Sequence, residues 1–172
     1  MNIISKIQSS VPMTHYAIDQ PLGRIENLMT SYNVDLDPDY QRGYVWNQEQ
    51  QEKFVGALIE SPENISPIIL NFTKKNKAAC EVVDGKQRLV ACLRWIRGEI
   101  KAVCPCGTDV RYADLDEVDM RAIGMCISLR CKWVTLSKSD VMKYYLRLNS
   151  GGTIHTEDEL DRVRKLIKKE KS

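Results

Sequence analysis

The chain has 172 residues, of which 43% are hydrophobic and 28% charged, and its formal net charge is +2. This size and composition exclude an intrinsically disordered chain and predict one globular domain, which we expect to cover residues 1–172. No apolar run approaches the roughly 18 to 20 residues of a membrane span, and the start lacks the apolar core of a signal peptide, so we expect a cytoplasmic protein with no membrane partner.

The first predicted helix covers residues 23–32, because GRIENLMTSY carries apolar side chains at helical spacing. The residues before it, up to position 19, show only weak periodicity. Pro38 then prevents a helix in LDPDYQRGYVW, so we expect an extended chain there. A second helix begins after Asn47, which forms a capping-box pattern with Gln50. We expect one side of this helix to be formed by Phe54, Ala57 and Leu58, with Gln51 beside them.

A β-hairpin is predicted next, because the apolar runs PIILNF and AACEVV flank the polar KKNK. The second strand breaks at Asp84-Gly85 and a third helix follows at once, as far as Gly98. Short β-like pieces are expected in residues 99–112, where the chain turns at two cysteines.

The last third predicts one strand and three helices. DLDEVDMRAIG indicates a short helix, and CISLRCKWV alternates apolar and polar residues as a half-buried strand does. Ser137 with Asp140, and Thr156 with Glu159, are typical of the starts of two further helices. Helices mixed with a hairpin and a separate strand indicate the α+β class.

Six cysteines raise the question of a zinc site or a disulfide framework. Cys104-Pro105-Cys106-Gly107 has the form of half a zinc site, but the remaining cysteines and histidines offer no second pair near one another. In a cytoplasmic chain we therefore expect reduced, buried thiols and no zinc. The cysteines are Cys80, Cys92, Cys104, Cys106, Cys126 and Cys131.

The break between strand and helix at Asp84-Gly85 is the first candidate site. The first backbone N–H groups of a helix have no intrahelical partner and carry partial positive charge, so an anion fits there. Gly85 permits close approach, Lys86 adds charge, and the Arg88 guanidinium could make two hydrogen bonds to a phosphate. The alternative is a plain turn, with Arg88 and Glu81 forming an ordinary surface ion pair.

Two further polar clusters are candidates for the same site. Gln41 and Arg42 lie between bulky aromatic residues, which could hold them towards a cleft; alternatively both are solvent-exposed. The segment RLNSGGT, residues 147–153, predicts either a simple helix end or a flexible rim that closes over a ligand.

These residues carry a resemblance. PDYQRGYVW, VVDGKQRLVACLRWIRGE and YLRLNSGGTIHTEDEL resemble, in order and over about residues 20–162, the signature segments of the N-terminal domain of GmrSD-type modification-dependent restriction enzymes, part of the ParB/sulfiredoxin-like superfamily. The resemblance implies a compact domain with a small mixed sheet and flanking helices, whose D-G-x-Q-R element binds nucleotide phosphates. Nucleotide hydrolysis is attributed to several members. The residues that match the family's motifs are Asp84, Gly85, Gln87 and Arg88, then Gln41 and Arg42, and finally Asn149, Gly151 and Gly152.

The sequence also departs from the family. Lys86 stands where the family commonly has glutamine, which we expect to alter nucleotide preference rather than anion binding. The restriction enzymes continue into a His-dependent nuclease module, whereas this chain has only His15 and His155, so we expect it not to be a complete enzyme of that type.

Three functions follow from these residues. The first is a nucleotide-binding, NTP-hydrolysing domain in which Asp84 orients water or Mg²⁺, and Gln41 or Gln87 positions the attacking water. The second is a DNA-binding or DNA-nicking protein using the same basic cluster, although the nearly neutral net charge counts against it. The third is a non-catalytic inhibitor or decoy of restriction systems. The expected partners are a nucleotide, DNA, and a separate nuclease or DNA-processing protein.

Overall fold

The computed structural model describes residues 14–72, 80–149 and 157–170. Within these ranges there are six α-helices and seven β-strands. The helices are α1 (Ile25–Ser31), α2 (Gln48–Glu60), α3 (Lys86–Ile96), α4 (Glu117–Cys126), α5 (Lys138–Asn149) and α6 (Glu157–Lys169). The strands are β1 (Thr14–Pro21), β2 (Val34–Asp35), β3 (Ile68–Phe72), β4 (Cys80–Asp84), β5 (Ala102–Val103), β6 (Asp109–Val110) and β7 (Ser128–Val134).

Five of the strands form one mixed sheet in the order β1-β7-β3-β4-β2, and β5 pairs with β6 in a separate hairpin. The β3 and β4 strands are antiparallel, as the predicted hairpin requires. β7 runs parallel to β3, and β2 runs parallel to β4. The predicted α+β class with a small mixed sheet and flanking helices is confirmed.

The sheet has helices on both faces, which explains the apolar character of its central strands. On β3, Ile68 and Leu70 belong to the larger core, formed with α1 to α4, while Ile69 belongs to a smaller core under α5 and α6. Val82 and Val83 divide between the two cores in the same way. Because both faces are buried, these strands appear in the sequence as continuous apolar runs.

Two strands were missing from the prediction. β1 is an edge strand that pairs antiparallel with β7, and residues 16–19 are all exposed. Since alternation in a sequence arises from one buried face, a strand with little burial gives weak periodicity. β2 is only two residues long and is set by its pairing with β4.

The buried side of α2 was predicted only in part. Gln51 and Leu58 are buried as predicted, and Phe54 and Ala57 are half-buried, but the prediction missed Val55 and Gly56, which are buried as well. The reason is a close backbone approach, since a Cβ on Gly56 would lie 2.0 Å from the carbonyl oxygen of Val103. The prediction selected large apolar side chains and had no means of locating this contact with β5.

All six cysteines are free thiols. Four are buried, but Cys106 and Cys126 are exposed, so the expectation of buried thiols was wrong for these two. Cys126 is the last residue of α4 and lies just outside the strand predicted to contain it. Burial raises the pKa of Cys80 and of Cys131 to about 12. No helix among the described residues is both long and apolar enough to span a membrane.

Candidate functional site

The turn from β4 into α3 has an open helix N-terminus. Gly85 has φ +93°, a left-handed conformation that residues other than glycine rarely adopt, and no side chain among the described residues caps the helix there. A Cβ on Gly85 would lie 2.4 Å from Cδ1 of Ile68. A left-handed residue followed by helical ones directs successive N–H groups to one point, which is an arrangement that binds anions.

A cavity of about 190 Å³ lies against this turn. Trp46, Val83 and Tyr145 line it and were not among the predicted site residues. Gly151 and Gly152 lie outside the described residues. The predicted residues that line the cavity are Gln41, Arg42, Asp84, Gly85, Lys86, Gln87, Arg88 and Asn149. Three segments far apart in the sequence therefore meet at one concavity.

Lys86 holds the loop of residues 37–46 against the helix. Its ammonium group donates to the carboxylate of Asp37 and, at 3.1 Å, to the carbonyl oxygen of Arg42. Lys86 is only 6% exposed, whereas the side chain of its partner Asp37 is 79% exposed, so the lysine is buried and its partner carboxylate lies at the surface. Lys86 thus positions the backbone that carries Arg42.

Gln87 binds the far end of the same loop. Its Oε1 accepts hydrogen bonds from the backbone N–H groups of Val45 at 3.0 Å and Trp46 at 3.1 Å. Its Nε2 donates to the carbonyl oxygen of Gly43 at 3.4 Å. The amide is therefore engaged with the backbone of the loop, and this contact places Trp46 at the cavity.

Arg88 ties Asp84 to the start of β3. Its Nη2 donates to Oδ2 of Asp84 at 2.7 Å, and its Nη1 donates to the carbonyl oxygens of Ser66 and, at 3.3 Å, Pro67. The alternative pairing with Glu81 is wrong, because Glu81 is buried elsewhere in the sheet. These bonds use three of the five N–H donors of the guanidinium, so Arg88 brings its positive charge to the cavity with only part of its hydrogen-bonding capacity.

Gln41 and Arg42 are not both solvent-exposed, so that interpretation is also wrong. Gln41 is 9% exposed and its amide donates to the carbonyl oxygen of Val82. The Arg42 side chain is 18% exposed, and its Nη1 lies 4.0 Å from a carboxylate oxygen of Glu159 on α6. Arg162, also on α6, donates to the carbonyl oxygen of Gln41 at 2.5 Å.

The last helical turn of α5 forms one side of the cavity. Nδ2 of Asn149 donates to the carbonyl oxygen of Tyr145, one turn earlier, at 2.7 Å. Burial raises the pKa of the Tyr145 hydroxyl, and the nearby Arg42 partly offsets that rise. The helix ends at Asn149 as predicted, while the predicted glycine rim falls outside the described residues.

The chain was compared with known proteins. Residues 25–164 match the family model of the GmrSD restriction endonuclease N-terminal domain. The chain belongs to this family. Neither the curated proteins nor the solved structures gave a match. The matched range includes all three segments that meet at the cavity, which confirms the predicted family; the wider ParB/sulfiredoxin-like relationship stays a prediction.

In this member of the GmrSD N-terminal family, the cavity is lined by three cationic side chains and one carboxylate, that of Asp84. In the described part of the chain, no group of three or more His, Cys, Asp or Glu side chains could hold a metal ion, so Asp84 does not belong to such a group. Two of these cations also have carboxylate neighbours outside the lining, since Lys86 pairs with Asp37 and Arg42 lies near Glu159. The open helix terminus, together with the guanidinium groups, is therefore what favours an anionic ligand.

Of the cavity residues that the sequence analysis did not predict, Tyr145 was predictable. It precedes Asn149 by four positions on a predicted helix, so the two share a face. Asp37 and Arg162 gave no such signal. Each contacts a residue far away in the sequence, at a separation of 49 positions for Asp37 and 121 positions for Arg162.

Proposed function

We propose that this domain binds the phosphates of a nucleoside triphosphate in the cavity and serves, with a separate nuclease, in restriction-related DNA processing. The observation that carries the proposal is the uncapped N-terminus of α3, with a left-handed Gly85, opening into a cavity that Arg42 and Arg88 both line. Backbone N–H groups and guanidinium charge together are the elements that recognise phosphate in proteins. The restriction context comes from the family alone.

The contacts suggest a division of labour among the motif residues. The backbone N–H groups of residues 85–87 and the charge of Arg42 would face the phosphates. Arg88 would add charge while holding Asp84 in place. Lys86 and Gln87 would act as positioning residues, because their side chains bind the 37–46 loop. We therefore do not assign Gln87 or Gln41 the task of orienting water, since each amide is already hydrogen-bonded to the backbone.

Asp84 would be the protein ligand of Mg²⁺. Its side chain is 39% exposed, and Arg88 donates to Oδ2, which leaves Oδ1 for a cation. Mg²⁺ in nucleotide sites commonly takes one or two carboxylates, with phosphate oxygens and water completing the shell. Asp84 fits that pattern as a single carboxylate ligand, and it would bring the cation beside the bound phosphates, where it neutralises their charge.

Thermal unfolding with ATP, CTP, GTP or UTP, each with Mg²⁺, tests binding. A nucleotide at ten times its Kd stabilises the folded state by about 1.4 kcal/mol, a rise of about 3 to 6 °C in Tm for a chain of this size. Arg42→Ala should abolish the rise. Gly43→Ala is the matched control, because a Cβ there meets no atom within 4 Å. No rise with any of the four nucleotides, or an undiminished rise in Arg42→Ala, would overturn the proposal and favour a non-catalytic role.

Hydrolysis requires its own test. Water would attack the γ-phosphorus and the bond to the β-phosphate oxygen would break, giving a nucleoside diphosphate and orthophosphate. Asp84→Asn should lose phosphate release while it still binds nucleotide, because the introduced amide can accept the Arg88 hydrogen bond but is a poor Mg²⁺ ligand. Asp39→Asn is the control, since that carboxylate pairs with Lys138 and does not line the cavity. Equal phosphate release by parent and Asp84→Asn would remove Asp84 from the reaction.

A further inference from the structure

The helix α6 contacts the loop segment that carries Arg42 at two points. Arg162 donates to the carbonyl oxygen of Gln41 at 2.5 Å, and Glu159 lies 4.0 Å from the Arg42 guanidinium. Leu160 and Val163, on the same helix, are 5% and 1% exposed, so the helix is also anchored by apolar packing. The start of α6 is therefore held beside the cavity, and the Glu159 carboxylate lies near the guanidinium of Arg42.

The distance determines what Glu159 can do there. At 4.0 Å the carboxylate is too far from Nη1 for a hydrogen bond, so it does little to orient the guanidinium. Its charge still acts at that distance, and the pair is only partly screened, because the side chains of Arg42 and Glu159 are 18% and 35% exposed. Glu159 thus lowers the positive potential at the position where a phosphate would approach Arg42.

We propose that the Glu159 carboxylate competes with a bound anion for the Arg42 guanidinium. Anion binding in the cavity and docking of the start of α6 therefore oppose each other. This inference rests on the proposed function, because it requires that an anion binds beside Arg42. The coupling is reciprocal: whatever draws Glu159 away from Arg42 strengthens anion binding by the same factor by which the anion weakens that docking. Only a ligand with more negative charge than a carboxylate competes well, which favours triphosphates.

The test is calorimetric titration of the full chain and of Glu159→Gln with ATP, CTP, GTP and UTP in Mg²⁺ at low salt. Glu159→Gln should bind the preferred nucleotide about tenfold more tightly than the parent. Added salt should reduce this difference, because it screens charge. A merely structural role predicts the opposite sign, since damage to the helix would weaken binding.

Asp161→Asn is the matched control. It removes the same unit charge from the same helix, but its carboxylate pairs with Arg164 at 2.5 Å and does not line the cavity. Its affinity should change less than twofold. If the parent binds nucleotide and Glu159→Gln binds no more tightly, the competitor role is wrong while the proposed function stands. If neither protein binds any nucleotide, both are wrong, and if Asp161→Asn gains as much as Glu159→Gln, the effect is one of net charge and the inference also falls.

Discussion

Replacing Gln87 by alanine separates a positioning role from a catalytic one. The substitution removes the acceptor for the N–H groups of Val45 and Trp46 and the weaker donor to the Gly43 carbonyl. A typical hydrogen bond contributes about 0.5 to 1.5 kcal/mol net, so the two good bonds together represent about 1 to 3 kcal/mol. For a chain of this size that loss corresponds to a fall in Tm of about 2 to 12 °C.

Urea denaturation of Gln87→Ala and Gln87→Glu measures this contribution. A carboxylate at position 87 can still accept from Val45 and Trp46, and a negative charge in the first turn of α3 is favourable, so Gln87→Glu should be nearly as stable as the parent. It should nevertheless bind no nucleotide, because the added charge repels phosphate. If Gln87→Ala unfolds at the same urea concentration as the parent, the side chain does not hold the loop and this reasoning is refuted.

Two further predictions concern stability. Gly85→Ala should lose at least about 2 kcal/mol in urea denaturation, because φ is +93° and the Cβ would lie 2.4 Å from Ile68; an unchanged midpoint would contradict this. Burial raises the pKa of Glu81, although the hydrogen bond from Asn71 partly offsets it. The folded state therefore keeps a proton that the unfolded chain has lost, and stability falls as pH rises from the ordinary glutamate pKa through the raised one. Glu81→Gln should remove that fall, so the variant should be more stable than the parent at pH 8 but not near pH 4. Identical pH profiles of stability in the two proteins would exclude a contribution from Glu81.

Elements whose signals are local were predictable. The capping box of Asn47 and Gln50 forms as expected, with bonds of 2.9 and 3.0 Å in its two directions. Asp84-Gly85 ends a strand and begins a helix as predicted, and the structure shows that Gly85 makes the turn in a left-handed conformation. These features depend on residues within a few positions of one another. Edge strand β1 was not predictable in this way, since its existence depends on pairing with β7, more than 100 residues later.

The candidate site also combines features that local sequence predicts with features that depend on distant contacts. Sequence motifs identified eight of the residues that line the cavity, but they did not separate ligand-facing groups from those that build the walls. Lys86, Gln87 and Arg88 are adjacent and polar, so each was a candidate for ligand contact. The tertiary contacts assign Lys86 and Gln87 to the 37–46 loop and Arg88 to Asp84 and the start of β3.

The α+β class, the hairpin and the helix that follows Gly85 were predictable from the sequence, and the sequence motifs selected eight polar or glycine residues that line one cavity. These follow from periodicity, from the conformational freedom of glycine, and from polar groups whose burial requires a partner. That Glu159 and Arg162 lie beside Arg42 and Gln41 follows from the folded chain alone, because a contact between residues more than 100 positions apart leaves no trace in the local sequence. Which donors are already used, and which remain for a phosphate, is a property of those distant contacts.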